Sequence, residues 1–497
     1  MSIQSIFRAF ASKPRVFITS DIANEPDDAQ SLVRYLLYSN EFDTKGIVAC
    51  TSTHMKRRVC PEDMVEIVNA YGQVVHNLNA HVHHENQYPE HKTLLELVST
   101  GPAVYGMEAL ETDVPLSEGA KRLVQALEES PEPLWVLNWG GANVLAQALQ
   151  HIHATESKEK SRTLRSRIRV YAISDQDDCG VWIRTTYPDI FYICSLHGWS
   201  QYHLATWLGI CGKVDGSGPD HSQFSREWLA ENIQQVGPLG AVYPDAKFGV
   251  EGDTPTFLYL IQNGLGAPEH PEWGSWGGRY IGPDLRGTVR HYSDTVDTVV
   301  GKDGETYRSN FATLWRWREA FQNDFAARMQ WTLTDDPQRA MHQPVVTVNG
   351  SMGPQPLLLQ VEPGSVVDLD ASDSYDPDGG SLFFSWFQYR EPTMNKDGLH
   401  TPQVREIEIE DTDTSQPGRK VTLEMPPAGW CAIDFVSGKP LERGQEFHFI
   451  LTVKNNGTPA LTTYKRVVVQ IVNLQLRGGR DNAVSTTADW LELEGLL

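Results

Sequence analysis

The chain has 497 residues, of which 40% are hydrophobic, with 42 Lys and Arg against 64 Asp and Glu and a formal charge of −22. That length has room for two or three domains with sizeable cores, and no run of about 18 apolar residues occurs, so no membrane-spanning helix is expected. The acidic excess argues against a nucleic-acid or anionic-membrane surface, where Lys and Arg supply the binding, and suits neutral ligands or cations.

The first 13 residues hold one Arg, one Lys and a short mixed stretch without a sustained apolar segment, unlike a signal peptide. This reads as a cytoplasmic chain, or a secreted one if a leader precedes the sequence. Residues 15–20 read as a short buried strand. A polar turn follows, and Ala29, Leu32, Val33, Leu36 and Leu37 at helical spacing predict an amphipathic helix. Strands are predicted at 46–51, 133–138, 169–174 and 190–194, with helices near 118–129 and 143–149. Strands alternating with helices imply an α/β domain, a mostly parallel sheet flanked by helices. Ligands of such sheets sit at the carboxyl ends of the strands, so the loops after Ser20, Thr51, Asn138 and Ser174 are where chemistry is expected. The six cysteines are scattered, with no zinc spacing. They favour a reducing compartment, while Asn-x-Ser/Thr triplets at Asn349 and Asn456 pull weakly the other way.

Near residue 340 the pattern changes to short strands, at 345–348, 357–361, 365–369, 382–387, 421–423, 447–453 and 466–471, which predict an all-β sandwich. The acidic turn 370–380 followed by Trp386 resembles the turn and core tryptophan of PKD-like or cadherin-like modules, an Ig/PKD-like fold. The expected division is 14–335 for the α/β domain, 340–475 for the sandwich and 476–497 for a polar tail.

The chemistry concentrates in residues 19–29, Thr-Ser-Asp-Ile-Ala-Asn-Glu-Pro-Asp-Asp-Ala. Asp21, Asn24, Glu25, Asp27 and Asp28 share one loop between a strand and a helix. One Asp suffices to cap a helix, whereas four carboxylates repel one another unless a cation lies among them, and an oxygen-rich cluster suits Ca²⁺. Asp253, before Pro255, reads equally as a helix cap or as a ligand from a distant part of the chain. The turn at 138–143, Asn-Trp-Gly-Gly-Ala-Asn, has glycines that let the backbone offer carbonyl oxygens.

Together these segments resemble the nucleoside hydrolase family, and more closely a branch of cellulose-binding proteins with a nucleoside hydrolase-like domain and a C-terminal β-domain. The resemblance rests on Ile18-Thr-Ser-Asp21, Pro26-Asp-Asp-Ala29, Gly140-Gly-Ala-Asn143 and Gly252-Asp253. It implies a Ca²⁺-dependent glycosidase in which Asp21 is the general base on a water. Asp21, Asp27, Asp28, Asp253 and the carbonyl of Asn138 would surround the metal, and Asp27 would also bridge to a sugar hydroxyl. Where the family carries a histidine for the leaving group, this chain has Gly252. An acid must come from elsewhere, with Glu25, Asp177 and Glu251 as candidates, or the leaving group is not a base.

Further sugar-facing candidates are His54 after the second strand, Asp175, Gln176 and Asp177 after a later one, and Trp182. Trp273 and Trp276 lie among glycines that admit close approach of a ligand, and residues 197–203 are similar in kind. The expected ligand is a carbohydrate or nucleoside-like small molecule; homo-oligomerisation stays open. Three functions compete: a calcium-dependent hydrolase of a sugar or plant-wall glycoside, a non-catalytic carbohydrate (cellulose)-binding protein, and a nucleoside N-ribohydrolase. The full acidic set favours the first, since binding alone requires no general base.

Overall fold

A computed structural model describes residues 3–197, 201–283, 287–394, 404–434 and 439–474. Trp199 in the 197–203 stretch and the expected tail lie outside the described residues. The chain divides into two compact units, one of residues 1–261 with 274–341, the other of 262–273 with 342–497. All six cysteines are unpaired, and no described helix is long and apolar enough to cross a membrane.

The first unit is built on an eight-stranded, mostly parallel sheet. Its strands are β1 (Arg15–Ser20), β2 (Asp43–Ala49), β3 (Val98–Thr100), β4 (Leu134–Asn138), β5 (Ile168–Ser174), β6 (Phe191–Ser195), β7 (Tyr280–Ile281) and β8 (His291–Asp294), in the order β3-β2-β1-β4-β5-β6-β8-β7. Every residue of β1, β4, β5 and β6 is buried, as near-continuous apolar strands covered on both faces require. Helices α1 (Pro26–Leu36), α2 (Glu118–Glu129), α3 (Asn143–Thr155) and α4 (Cys179–Thr186) connect the strands. The chain runs from β1 outward through β2 to β3, then returns to place β4 on the other side of β1. That reversal is a topological switch point, the place where ligands of such sheets bind, and it lies at the loops after β1 and β4.

In the second unit, β9 (Leu357–Val361), β11 (Leu382–Gln388), β14 (Arg443–Asn455) and β15 (Thr462–Val472) form one sheet, ordered β9-β15-β14-β11. The strands β10 (Val366–Asp370), β12 (Ile409–Asp411) and β13 (Lys420–Glu424) form another, ordered β10-β13-β12. Pairing is antiparallel except between β9 and β15, and one apolar core draws on both sheets, as in a sandwich. Trp386 is only half-buried beside that core, its indole N–H donating to Gly418 O at 2.8 Å. Residues 262–273 belong here because their backbone pairs with β15: Tyr464 N donates to Asn263 O at 2.8 Å and Arg466 N to Gly264 O at 2.9 Å.

Candidate functional site

The carboxylates converge at the switch point because three backbone turns are tied to one helix. β1 ends at Ser20, and Asp21 follows it into a turn in which Asn24 N donates to Asp21 O and Ala23 takes a left-handed φ of +78°. Pro26 opens α1, placing Asp27 and Asp28 in its first turn, and the N-cap residue Glu25 makes no side-chain capping bond. Ser20 Oγ donates to Asp28 Oδ1 at 2.5 Å. The next turns of α1 then clamp the 251–254 segment. Glu251 N donates to Gln30 Oε1 at 3.0 Å, Thr254 Oγ1 to Ser31 Oγ at 3.0 Å, and Arg34 Nη1 to Glu251 Oε2 at 2.6 Å. One helix thus carries two of the acids and holds the turn that carries Asp253.

Oxygens of Asp27, Asp28 and Asp253 all lie within 4.8 Å of one another. Asp21 is hydrogen-bonded to Asp28 and Ser52 side chains. The turn after β4 packs just as close: a β-carbon at Gly140 would sit 2.9 Å from Asp21 N and 3.0 Å from its Oδ1. Only glycine allows that approach. Trp139 Nε1 donates to Thr256 Oγ1 at 2.8 Å, and Thr256 Oγ1 donates to Asp253 O at 2.7 Å, which ties the β4 turn to Asp253.

Burial is the first cause that raises each of these carboxyls above the usual carboxylate range. Asp27 is pushed up to about 6 by burial, then by Glu25 and Asp21. Asp28 and Asp253 are raised well above it by burial and by the surrounding carboxylates. Four other buried acids of this unit are treated differently. Glu41, Asp297, Asp324 and Glu251 each face an arginine, at 2.6 to 2.9 Å. Among the described residues no basic side chain ion-pairs with Asp21, Asp28 or Asp253, and Asp21 Oδ2 and Asp253 Oδ2 are buried without a hydrogen-bond partner. A buried, unpaired carboxylate is costly. Asp27, Asp28 and Asp253 could hold a metal ion, and oxygen ligands of this kind suit a hard cation.

Asn138 ends β4, buried, with its Oδ1 accepting from Thr19 Oγ1 at 3.0 Å and its Nδ2 unpartnered among the described residues. Asn24 and Glu25 are half-buried in the Asp loop, and Glu25 is close enough to raise Asp27 and Asp253. His54 is exposed and lowers Asp21 electrostatically.

The remaining candidates have other occupations. Glu251 is fully buried and accepts from Arg34 and from Tyr243 Oη, at 2.8 Å. Asp175 is held by Arg184 in a two-pronged pair at 2.8 and 2.5 Å. Gln176 Nε2 donates to Trp139 O at 2.5 Å. Asp177 is buried and pushed up to about 7, first by that burial; its Oδ1 accepts from Cys179 N at 2.9 Å and its Oδ2 has no partner among the described residues. Trp182 packs edge-on against Tyr187. Trp273 and Trp276 are buried, in different units, the first stacked on His270 and the second edge-on to Phe321. Motif reasoning missed Ser20, Ser52 and Arg34. Ser20 alone carried a signal, as the last residue of a strand before the Asp loop.

The family described as cellulose-binding Sde182, nucleoside hydrolase-like domain, matches residues 15–280. The cellulose-binding protein Sde0182 C-terminal domain matches residues 366–471. Among solved structures, a nucleoside hydrolase-related hypothetical protein from Saccharophagus degradans, associated with carbohydrate metabolism, is 30% identical. The match covers 93% of this chain and 100% of that one, with a TM-score of 0.74. Human CDH23 EC21-23 is 13% identical over 26% of this chain and 34% of that one, at a TM-score of 0.16. The type III effector XopQ complexed with adenosine diphosphate ribose is 10% identical over 52% and 69%, at 0.26. Neither of these last two superpositions carries weight. No curated protein matches the chain.

Proposed function

The chain belongs to the nucleoside hydrolase-like Sde182 family of cellulose-binding proteins, and from that premise we propose that it is a calcium-dependent hydrolase of a plant-wall-type glycoside. The observation that carries the proposal is the set of buried carboxylates at the switch point, whose three nearest oxygen donors lie within 4.8 Å of one another with no arginine or lysine paired to them among the described residues. Asp27, Asp28, Asp253 and the Asn138 carbonyl would hold the ion, with Asp21 beside it. Bound calcium would neutralise these charges and polarise the hydroxyls and water that reach it.

The chain's own residues would do the rest. Asp21, with one oxygen unpartnered, is placed to take a proton from a water as general base. Ser52 and Asp28 fix its carboxyl, so its lone pair is oriented before the substrate arrives. Asp27, the least buried of the four acids, is placed to orient a sugar hydroxyl. Water is thinned from the floor of the site because Asp21, Asp28 and Asp253 are almost fully buried, which strengthens every charge contact there.

Reducing-sugar release from a panel of nucleosides, aryl furanosides, aryl pyranosides and plant-wall oligosaccharides, with and without chelator, tests this reading. Chelator-sensitive cleavage of one class supports it; bound calcium with no turnover on any class removes the hydrolase. The second reading, a carbohydrate-binding protein without turnover, is favoured by Gly252. Glycine has no side chain, so nothing at the position the family gives to histidine can act as the acid. The same fact sets a nucleoside N-ribohydrolase last.

A further inference from the structure

We infer that His54 is the proton donor to the leaving group, carried by the loop after β2 to the side of the cluster where Asp21 lies. This rests on the hydrolase reading above and supplies the acid that Gly252 cannot. Cys50 N donates to Ser20 O at 2.8 Å, so the loop after β2 leaves the sheet alongside the Asp loop. Ser52 is the hub of the turn that follows. Its Oγ accepts from His54 N at 3.0 Å and from Met55 N at 3.2 Å, and its side chain is hydrogen-bonded to Asp21. Two hydrogen bonds in series therefore join the His54 backbone to the proposed base, a separation on the order of 6 Å.

The rest of the turn is also tied down. Ser52 N donates to Met55 O at 3.2 Å and Thr53 N to Gln176 O at 2.6 Å, while Lys56 Nζ lies 4.6 Å from the centre of the Tyr105 ring. The His54 imidazole is exposed and, among the described residues, makes no hydrogen bond or ion pair. The residue is thus fixed at its root and free at its tip, as a donor that must follow a departing oxygen requires. Imidazole is also the side chain suited to giving up a proton near neutral pH. Burial raises the Asp21 carboxyl, and His54 opposes that rise, which agrees with their nearness. Acid and base in an inverting glycosidase stand about 6.5–9.5 Å apart with a water between, a gap that a side chain rooted here can span. The rival acids are placed less well. Glu251 is held by Arg34 and Tyr243, Asp177 is buried with its Oδ1 on Cys179 N, and Glu25 adds its charge to Asp27. In the step itself Asp21 takes a proton from water as the water oxygen bonds to the anomeric carbon. The glycosidic C–O bond breaks, and the imidazolium N–H proton passes to the departing oxygen. Asp21 ends protonated and His54 neutral, and exchange with solvent resets both.

The test uses the full chain with calcium and paired phenyl and dinitrophenyl glycosides of glucose, xylose and arabinofuranose. Dinitrophenolate departs without a proton, whereas a phenyl leaving group gains from one. Wild type should cleave both members of at least one pair. His54→Gln should lose about 10²–10⁴-fold in kcat on the phenyl member, the usual contribution of a general acid, and no more than a few-fold on the dinitrophenyl member. Its calcium affinity by calorimetry should match wild type. Equal losses on both members, or no loss on the phenyl member, would overturn His54 as the donor and leave the hydrolase standing. A leaving-group-selective loss in Glu25→Gln but not in His54→Gln would overturn it as well and give the role to Glu25. Wild type that cleaves no pair would sink the hydrolase reading, and the donor with it.

Discussion

Glu251→Gln tests whether the α1 clamp sets the ion site or merely holds the fold. Glu251 is fully buried, takes a left-handed φ of +56°, and receives Arg34 Nη1 at 2.6 Å and Tyr243 Oη at 2.8 Å. Removing one partner of a buried ion pair costs about 3–5 kcal/mol. The lower end applies here, because Arg34 keeps Gln322 Oε1 at 2.7 Å, Phe321 O at 2.6 Å and the Phe325 ring at 4.5 Å. At about 2 °C per kcal/mol for so large a unit, melting should fall by about 6 °C. The left-handed backbone itself costs about 1–2 kcal/mol and is held by these bonds. Once they weaken, the turn relaxes and carries Asp253 away from Asp27 and Asp28. Calcium affinity should then drop about tenfold or more, equivalent to about 1.4 kcal/mol. Glu41→Gln is the control, an equally buried acid paired to Arg328 at 2.6 Å and not grouped with the carboxylates that could hold an ion. Thermal melts with saturating calcium and with chelator separate the two roles. Both variants should lose stability in chelator, but only Glu251→Gln should lose the calcium-dependent increment. Equal calcium increments in the two variants would refute the positioning role.

Four further outcomes follow from the same geometry. Asp28→Asn should raise the melting temperature in chelator, because it removes a carboxyl whose ionisation is penalised by burial and then by Asp21 and Asp27, while abolishing both the calcium-induced rise and turnover; a lower melting temperature in chelator contradicts this. Asp21→Asn should stop hydrolysis while ligand affinity, read by calorimetry, stays within a few-fold; equal loss of both would give Asp21 a structural role. Gly252→Ala puts a methyl 2.7 Å from Asp27 Oδ2 and should weaken calcium binding by roughly tenfold, overpacking typically costing about 1–3 kcal/mol; unchanged affinity by isothermal titration would show that Asp27 yields freely. Asp177 is pushed up to about 7 in the fold, so the native state holds its proton more tightly than the unfolded chain does. Stability therefore falls as pH rises from about 4 to about 7, and Asp177→Asn should remove that share of the slope in denaturant titrations at several pH values.

Much of the first unit was readable because its strands are short apolar runs bounded by turns. The strand predicted at 15–20 and the helix at 118–129 coincide with β1 and α2. The Asp loop and Asp253 were legible as residues, and the switch point explains why they meet. The short strands β3, β7 and β8 escaped notice, being two to four residues long with little apolar content. So did the transfer of residues 262–273 to the second unit, which depends on bonds from Tyr464 and Arg466, about 200 positions away, and on Trp273 O accepting from Arg466 Nη2 at 2.9 Å. No local pattern encodes such a pairing. Trp273 and Trp276 looked sugar-facing because glycines surround them, but those glycines serve chain geometry, Gly274 and Gly278 having φ of +82° and +100°.

The distribution of arginines separates structural charge from functional charge. Asp297 takes Arg279 at 2.6 Å and Arg316 at 2.8 Å, Glu41 and Asp324 share Arg328, and Glu251 takes Arg34. Each of these acids is neutralised inside the fold and unavailable to a ligand. Arg34 is the informative case, since it sits on the same helix as Asp27 and Asp28, within two turns of both. Aimed at the cluster, it would satisfy the carboxylates permanently and leave no place for a cation. Aimed at Glu251, it instead fixes the backbone beside Asp253 and leaves the cluster's charge uncompensated. The cost of that arrangement falls on the ion-free protein, and binding a cation returns it, by about 2.7 kcal/mol when the ion is at a hundred times its Kd. A site kept under-neutralised in this way is suited to bind a cation, and Asp27, the least buried of the four acids, is the one best able to meet a substrate oxygen beside it.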